Sequence, residues 1–586
     1  MTDPEQTLTQ LVQDALAAEL GEQYASSDPL IRPSQFADYQ ANVALSLAKA
    51  IGRPPREIAA ALAARLADPA AGAGAGPGGV SPIATAEVSG PGFINITLSD
   101  QWLSASVTSL LGDDRAGVPQ AADPQKVVVD YSAPNVAKEM HVGHLRTTVV
   151  GDAVVRTLEF LGHEVVRANH IGDWGTQFGM LLEHMLDLGE QATYDLLAAG
   201  EINAFYQAAK AKFDADATFA GRARGRVVAL QSGDPETHRL WQALVSDSEQ
   251  YYNKVYHRLG VTLTDADLAP ESFYNPMLAD VCAELESAGV AVLSDGALCA
   301  FPPGFTGRDG SPLPIILRKS DGGYGYGSTD MAAIRYRIRD LHAQRIIYVV
   351  GSEQALHFSM VFAVARQAGW LTDEVSAEHA SIGLVTGADG KRFRSRSGAS
   401  VKLITLIDEA VERAEEVIKD RYDDPEQRQQ IAEAVGIGAL KYGDLSVARE
   451  SSYALDFDRL LALTGNTGPY LQYATARIRS IFHKAGLKPA AAGGPISAAE
   501  PAERALALQL LRLGRAIDEL VAGAEPHKLA AYLFEVASTF TSFYEQCPVL
   551  TAAPAVRDSR LALAGLTLLV LQTGLGLLGI PVPDRM

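Results

Sequence analysis

Residues 126–175 form a strand–helix–strand pattern that limits the possible folds more than any other feature. The run KVVVDYSA at 126–133 is rich in β-formers, and VGHLRTTVVGDAVVRTLEFLG then shows apolar residues at helical spacing. Gly162 stands where such a helix would end, and HEVVRANHIGDWG supplies a second strand and loop. Strands joined by a helical crossover lie parallel in one sheet. The pattern therefore predicts a Rossmann-like α/β core whose ligand crevice lies at the carboxyl ends of the strands.

The chain of 586 residues is too long for one hydrophobic core, and its pattern changes twice. Residues 1–112 combine helix-like stretches with the alternating strand FINITL, which predicts a small α+β module. Residues 126–445 alternate strands and helices and carry a helix-rich insertion at about 190–310. Residues 446–586 have helical periodicity throughout and predict an all-α bundle.

Cysteine content and charge exclude few classes of function. The three cysteines are scattered and form no CxxC pair, which argues against a zinc knuckle and suits a reducing cytoplasm. The net charge of −20 gives no sign of a nucleic-acid partner, but such binding depends on the local field. The polar opening MTDPEQTLTQ argues against secretion. The uncharged run at 561–582 is long enough to span a bilayer, but it contains Gln572 and several glycines, so we expect a packed helix and no membrane association.

The sequence HVGH at 141–144 lies where the first strand gives way to a helix. A helix N-terminus offers free N–H groups and the positive end of a dipole, so anions bind there. Gly143 leaves room for a phosphate or a base, and His141 and His144 can donate to phosphate oxygens and neutralise charge at an α-phosphorus. Two alternatives stay open: a capped helix with surface histidines, and a zinc site. Zinc is disfavoured because no third ligand has suitable spacing and HExxH is absent.

A basic loop, GADGKRFRSRSG at 387–398, is a second candidate for anion binding. Lys391, Arg392, Arg394 and Arg396 stand within six positions of an otherwise acidic chain. We expect a lid over a triphosphate, which supplies charge to pyrophosphate as it leaves. A solvated basic loop is the alternative.

Several motifs in combination resemble one family. HVGH resembles the HIGH element of class I aminoacyl-tRNA synthetases, and FRSRS at 393–397 resembles a degenerate KMSKS loop. HxGH alone is shared with other nucleotidyltransferases. The wider set resembles arginyl-tRNA synthetases over nearly the whole chain: SAPNVAKEMHVGHLRTTVVGD, NHIGDWGTQFG, GYGSTDMAAIRYR, GNTGPYLQYATARI and LLGIPVPDRM.

The resemblance implies a two-step reaction. The family joins L-arginine to ATP, forming arginyl-adenylate and pyrophosphate, and then passes the arginyl group to the terminal adenosine of tRNA(Arg). We therefore expect L-arginine, ATP and tRNA(Arg) as ligands. Mg²⁺ is expected to arrive with ATP and not in an all-protein cage. The resemblance also implies a cytoplasmic monomer without zinc.

Acidic side chains near the crevice are the candidates for the arginine pocket, because a guanidinium pairs best with a carboxylate. Asp330 in GYGSTD is the leading candidate, with Tyr326 four positions earlier on the same helical face. Asp130, at the end of the first strand, is the second. Asp330 as a plain helix cap is the alternative. The resemblance adds the arginine-binding residues Asn135, His144 and Gln354.

The KMSKS-like loop departs from its consensus, since Phe393 and Arg396 occupy the positions of the two lysines. The resemblance implies that Lys391, upstream, compensates and contacts the pyrophosphate. The predicted catalytic residues are His141, His144, Lys391 and Arg396. The predicted ATP-binding residues are His141, Gly143, His144, Lys391, Arg394 and Ser395.

Both ends of the chain are predicted to contact tRNA. Single-stranded bases are recognised by stacking and by contacts to their edges, and the C-terminal helices would read the anticodon in this way. The N-terminal module resembles the family's domain that grips the tRNA corner. The candidate contacts are Tyr39, Gln40 and Asn42 in the module and Tyr470, Tyr473 and Arg477 in the helices. Core packing is the alternative for each of them.

Overall fold

The computed structural model describes residues 3–68, 79–198, 201–387, 401–489 and 494–586, and it begins with a small α+β module. The elements of the module are α1 (Pro4–Leu20), β1 (Arg32–Pro33), β2 (Tyr39–Ala41), α2 (Val43–Ile51), α3 (Pro55–Leu66), β3 (Ile83–Ser89), β4 (Phe93–Leu98) and α4 (Asp100–Ser109). The strands form an antiparallel sheet in the order β1-β2-β4-β3. Ile94, Ile96 and Leu98 of β4 are buried, because alternate residues of a strand face the helices.

The central region is built on a parallel sheet with helical crossovers. Its first half comprises β5 (Lys126–Asp130), α5 (Val142–Phe160), β6 (Glu164–Ala168), α6 (Thr176–Leu188), α7 (Glu190–Ala198), α8 (Ile202–Ala215), α9 (Ala217–Gln231), α10 (Pro235–Leu259) and α11 (Leu278–Ser287). Its second half comprises β7 (Ala291–Ser294), β8 (Ala297–Ala300), β9 (Ile315–Arg318), α12 (Tyr326–Arg339), β10 (Arg345–Tyr348), α13 (Ala355–Gln367), β11 (Ser376–His379) and β12 (Val385–Thr386). The parallel strands run in the order β11-β10-β5-β6, while β7-β8-β9 form a separate antiparallel sheet.

The register of the parallel sheet brings its carboxyl ends level. Asp130, the last residue of β5, pairs with Tyr348 of β10 on one side and with Ala168 of β6 on the other. The chain leaves β5 toward β6 and later returns on the opposite side as β10, so the sheet has its topological switch point at β5. The predicted Rossmann-like core is confirmed, and the loops after β5 and β10 meet at that switch point.

The C-terminal region is helical apart from one short strand. Its elements are α14 (Leu403–Ile418), α15 (Pro425–Leu445), β13 (Tyr453–Ala454), α16 (Phe457–Leu460), α17 (Gly468–Ala485), α18 (Pro501–Leu510), α19 (Leu513–Gly523), α20 (Pro526–Gln546) and α21 (Pro554–Leu577). By length and composition α21 could cross a membrane, but 67% of its apolar window is buried inside the protein. It packs against α17, α18, α20 and α5, as the core helix of a bundle does.

Arg504 is prominent among the contacts that dock the N-terminal module onto the C-terminal helices. Arg504 of α18 forms two contacts of 2.6 Å with the carboxylate of Asp38 and one of 2.7 Å with Asp100. Its guanidinium also donates to the backbone oxygen of Leu98 at 2.9 Å. The planar fork of arginine suits this paired recognition of a carboxylate. The module is therefore held in a fixed position on the helical region.

Candidate active site at the carboxyl edge of the parallel sheet

The loops at the switch point enclose a cavity of about 260 Å³. It is lined by the loop after β5, the first turn of α5, the loop after β10 and the segment that leads into β12. The predicted site residues that line it are Asn135, His141, Gly143, His144 and Gln354. Residues from distant parts of the sequence thus meet where doubly wound sheets bind their ligands.

The backbone between β5 and α5 is strained and is held in place by α10. Ser132, Ala133 and Ala137 have φ angles of 70°, 46° and 59°, a left-handed conformation that L-residues rarely adopt. The hydroxyl of Ser132 lies 2.7 Å from that of Tyr256, and the N–H of Ala137 donates to Ser248 Oγ at 3.0 Å. Because Ser248 and Tyr256 belong to α10, this helix fixes the shape of the loop that carries the cavity.

The two histidines use one ring nitrogen each to cap α5. The N–H of His141 donates to Nδ1 of His144 at 3.0 Å, and the N–H of Gly143 donates to Nδ1 of His141 at 3.0 Å. A neutral imidazole whose Nδ1 accepts a hydrogen bond carries its proton on Nε2. The ring centroids are 4.1 Å apart, so the two Nε2–H donors belong to one small site. Capping and ligand binding are therefore compatible functions of the same side chains.

His144 acts as a neutral donor. Burial, and to a smaller extent the neighbouring His141, lowers its pKa to about 3. Its ring is therefore uncharged at physiological pH. In this state the ring can contribute a hydrogen bond to a phosphate oxygen but no positive charge, which differs from the expectation that it neutralises charge at an α-phosphorus.

Gly143 is required by the position of His141. A Cβ atom on residue 143 would lie 2.8 Å from Cε1 and 3.0 Å from Nδ1 of the His141 ring. A side chain here would therefore displace the ring that accepts the N–H of this same residue. The space next to the Cα of Gly143 is occupied by the ring of His141, whereas the sequence pattern predicted a phosphate or a base there.

An acidic pocket adjoins the cavity. Asp330 and Tyr326 lie one helical turn apart on α12, and Tyr326 is 70% exposed. The carboxylate of Asp330 lies 2.6 Å from Nε2 of His357, whose ring meets Tyr326 edge-on at 4.9 Å. His357 follows Gln354, a cavity-lining residue, by three positions. The acidic side chains therefore lie near the cavity, beside the turn that leads from its lining into α13.

Glu271 is a second acid of this pocket, and the sequence reasoning missed it. It begins the 3₁₀ segment Glu271–Met277, which joins the helical insertion to α11. Burial raises its pKa to about 8, with further contributions from the charges of Asp330 and Asp173. The carboxyls crowd together in a half-buried site, an arrangement that a cationic ligand would stabilise. The acid has no motif around it, so the sequence offered no signal for it beyond its charge.

Comparison with known proteins identifies the family. Three family models match in chain order: the arginyl tRNA synthetase N terminal domain over residues 6–98, the class I (R) tRNA synthetase catalytic domain over 106–457 and the DALR anticodon binding domain over 471–586. The chain is 58% identical over 590 residues to an arginine–tRNA ligase of Thermobifida fusca, with 100% of both chains covered. The chain belongs to the arginyl-tRNA synthetase family.

Other arginyl-tRNA synthetase relatives agree with this assignment. An arginine–tRNA ligase of Frankia casuarinae is 50% identical over 572 residues, which cover 96% of this chain and 95% of that one. The arginyl-tRNA synthetase structure from Plasmodium falciparum has a TM-score of 0.83 at 28% identity and covers 99% of both chains. That of Thermus thermophilus, at 24% identity, shares the fold with a TM-score of 0.77. The resemblance inferred from the motifs is confirmed.

Asp130 is not a free acid of the arginyl-tRNA synthetase site. Its carboxylate forms an ion pair of 2.6 Å with Arg337 of α12, and the two side chains are 6% and 1% exposed. The Arg337 guanidinium also lies over the ring of Tyr348. Removal of the Asp130 carboxylate would leave the buried guanidinium of Arg337 without its counter-ion, which strongly destabilises a folded protein. The carboxylate of Asp130 is therefore engaged in the core. Its predicted contact with arginine is therefore not supported by its surroundings.

The predicted residues of the KMSKS-like loop, Lys391, Phe393, Arg394, Ser395 and Arg396, lie outside the described residues. The segments on either side of that loop form backbone hydrogen bonds with other parts of the chain. On entry, β12 pairs in parallel with β13. On return, Val401 accepts the N–H of Val142 at 3.1 Å, and Leu403 donates to Met140 at 2.8 Å. The chain therefore returns from the loop directly beside the HVGH turn.

The C-terminal helices carry a basic and aromatic concavity of about 890 Å³. Tyr473 and Arg477 line it, and Tyr473 is 37% exposed. The guanidinium of Arg477 lies 4.4 Å from the centre of the Tyr544 ring, which also lines the concavity. Tyr470 instead packs on Phe534. Of the three C-terminal candidates, Tyr473 and Arg477 are open to a ligand, and Tyr470 is half-buried in the helix packing.

Tyr39 is part of the core of the N-terminal module and is 3% exposed. It faces inward because Tyr39 and Ala41 share one side of β2, so the predicted tRNA contact at Tyr39 is not accessible. Gln40 faces the other side but donates to Asn95 at 2.8 Å, and Asn42 is half-buried where α2 begins. The aromatic residue that the module does present is Phe36, which is 84% exposed.

Proposed function

We propose that the crevice activates L-arginine with ATP and then charges tRNA(Arg). The observation that carries the proposal is the junction of two sites, a cavity with paired imidazole donors and a pocket of crowded carboxyls, in a chain of the arginyl-tRNA synthetase family. The first suits phosphate oxygens, and the second suits a guanidinium. Both open at the switch point of the parallel sheet.

Activation is a displacement at the α-phosphorus of ATP. The carboxylate of arginine, already ionised, forms a bond to the α-phosphorus, while the bond to the bridging oxygen breaks and pyrophosphate leaves. Catalysis consists of alignment and of stabilising charge on the phosphoryl oxygens. Nε2–H of His141 and of His144 donates to these oxygens beside the N-terminus of α5. The second step transfers the arginyl group from the adenylate to the terminal adenosine of tRNA(Arg), and AMP leaves.

We assign Mg²⁺ to ATP and not to a protein cage. The lining of the cavity combines apolar side chains with imidazoles, amides and hydroxyls, and Glu353 is its one carboxylate. Mg²⁺ prefers several hard oxygen ligands, which the phosphates of ATP supply. Among the described residues there is also no cluster of three or more metal-ligating side chains. Lys391 and Arg396 are proposed to contact the departing pyrophosphate.

Arginine recognition is assigned to Asp330 and Glu271, with the Tyr326 ring beside them. A guanidinium presents donors on separate nitrogens, so it can pair with two carboxylates at once. Asn135, His144 and Gln354, at the cavity end of the crevice, are proposed to hold the polar groups around the α-carbon. This arrangement directs the substrate carboxylate toward the histidines.

We further propose that the terminal regions position tRNA. Residues 1–112 form the tRNA-corner module, residues 126–445 the catalytic domain with its insertion at about 190–310, and residues 446–586 the anticodon-binding region. Phe36 in the module and the C-terminal concavity supply aromatic surface for unpaired bases. On the family likeness, the protein is proposed to act as a cytoplasmic monomer.

The decisive test is amino-acid-dependent exchange of pyrophosphate into ATP. Arginine is expected to support exchange, and the other nineteen amino acids are expected to give less than about 1% of its rate, because polar complementarity discriminates strongly. The assay is run with and without tRNA. Exchange with another amino acid and not with arginine would contradict the proposal. Turnover of ATP without any amino acid would favour a simple nucleotidyltransferase instead.

Tyr473→Ala is expected to raise the KM for tRNA(Arg) about tenfold, because base stacking on an aromatic ring contributes roughly 1–3 kcal/mol. KM values for arginine and ATP at saturating tRNA should not change. Aminoacylation kinetics measure all three. Tyr473→Phe keeps the ring and should behave as wild type, and Val556→Ala, at an exposed apolar residue of α21, is the matched control. An unchanged KM for tRNA in Tyr473→Ala would contradict the assignment.

A further inference from the structure

The leading candidate for an arginine-binding acid, Asp330, has a hydrogen-bond partner on a neighbouring helix. Oδ2 of Asp330 lies 2.6 Å from Nε2 of His357, and the two side chains are 16% and 17% exposed. Asp330 belongs to α12 and His357 to α13, so the contact crosses between neighbouring helices. A carboxylate is an acceptor only, hence Nε2 of His357 carries a proton and donates. Asp330 thus receives a hydrogen bond from within the protein.

The imidazole is itself fixed by aromatic neighbours. Its ring meets Tyr326 edge-on at a centroid distance of 4.9 Å and Phe358 edge-on at 5.5 Å. Phe358 is buried against Tyr348, at the end of β10. The donor to Asp330 is therefore packed against a buried ring on one side. A residue whose rotamer is held by packing can set the orientation of the group it contacts.

One oxygen of Asp330 remains for a ligand. Oδ1 accepts no hydrogen bond from any residue in the described part of the chain, whereas Oδ2 is engaged by His357. Glu271 is close enough for the charge of Asp330 to act on it. The pocket thus offers two separate carboxylates, one of them fixed in orientation. A planar guanidinium has donors on three nitrogens and can meet both, while the ammonium of lysine has its three donors on one nitrogen.

We infer that His357 is a positioning residue that sets the selectivity of the crevice for a guanidinium, by holding Oδ2 of Asp330 so that Oδ1 is presented to the substrate. The inference rests on the proposed arginine site and adds a residue to it. His357 contacts neither the phosphates nor the reacting carboxylate. Its loss therefore weakens arginine binding and leaves the chemical step and ATP binding intact.

Two variants separate the hydrogen bond from the packing. His357→Phe keeps a ring against Tyr326 and Phe358 but removes the donor, whereas His357→Gln supplies an amide donor at a comparable distance from the backbone. The measurement is arginine-dependent pyrophosphate exchange with tRNA present, giving kcat and the KM values for arginine and ATP. Inhibition by L-lysine and the melting temperature are measured alongside. His257→Gln, at an exposed histidine of α10, is the matched control.

His357→Phe is expected to raise the KM for arginine roughly tenfold or more, the effect of losing a hydrogen bond to a charged group. The KM for ATP should stay within about twofold and lysine inhibition within about threefold, so that discrimination against lysine shrinks. His357→Gln should restore most of the arginine affinity. An unchanged KM for arginine in His357→Phe overturns the inference. Equal losses in both variants, with a raised KM for ATP and a lower melting temperature, overturn it in favour of a packing role.

Failure of this inference is distinguishable from failure of the proposed function. If wild-type protein does not exchange pyrophosphate with arginine, the arginine site itself is wrong, and with it the role of His357. If wild-type protein does so and His357→Phe has the wild-type KM for arginine, the function stands and the positioning role alone is wrong.

Discussion

Asp330→Ala is expected to reduce kcat/KM for arginine by roughly 10⁴, the scale on which sites built on polar complementarity reject a mismatched partner. The carboxylate of Asp330 is one of two acids in the pocket, and its alanine variant leaves the guanidinium facing Glu271 alone. Burial raises the pKa of Glu271, so ionising it beside the substrate costs free energy, and one such carboxylate replaces the two of the wild type. Arginine-dependent pyrophosphate exchange measures the loss.

ATP binding should survive this substitution, because Asp330 is absent from the lining of the histidine cavity. Equilibrium titration with a non-hydrolysable ATP analogue is expected to give a Kd within about twofold of wild type. Asp340→Ala is the matched control, since Asp340 is an exposed carboxylate at the other end of α12. Parallel loss of ATP and arginine binding would show that Asp330 supports the fold of the crevice and not the substrate.

His144→Ala is expected to lower kcat by roughly 10²–10³, the cost of removing one pre-positioned donor to transition-state charge. The KM for arginine should rise by less than kcat falls, because His144 is proposed to contact only the α-carbon end of the substrate and not its guanidinium. His144→Asn is an informative companion: its side-chain oxygen can accept the N–H of His141, so it preserves the cap of α5 but lacks the Nε2–H donor. Both variants should be slow in single-turnover formation of arginyl-adenylate.

The pH dependence identifies the charge of that ring. Histidine is uncharged at pH values above its pKa. Because the pKa of His144 is lowered to about 3, its ring is neutral throughout the range from pH 5 to 8. The ratio of wild-type to His144→Ala rates should therefore be constant across that range. A ratio that falls as pH rises through 6 to 7 would mean that the ring works as a cation, contrary to the geometry.

Local sequence pattern was sufficient to place the HVGH turn in the fold but not to predict the residues around it. HVGH lies at a strand-to-helix switch that periodicity alone identifies, and the sheet brings it together with Gln354. Asp130, like the HVGH turn, lies at the carboxyl edge of the sheet, but its side chain pairs with Arg337. Arg337 is 207 positions away in the sequence, so no local pattern shows that the pair is buried. Glu271 follows a helical insertion whose path across the crevice is set by tertiary packing. The burial of Tyr39 follows from the period of two in β2, which places Tyr39 on the same side of the strand as the buried Ala41.

The docking of the N-terminal module by Arg504 has a consequence for biosynthesis. Asp38 and Arg504 are 466 positions apart, so the module leaves the ribosome long before its partner exists. Domains fold largely as units during synthesis, N-terminal parts first, and contacts between distant positions close last. Asp38 therefore stays in water until α18 has been made and folded. Joining of the module to the helical region is a late step in maturation, and before it the nascent chain cannot hold in register the two ends that are proposed to contact tRNA.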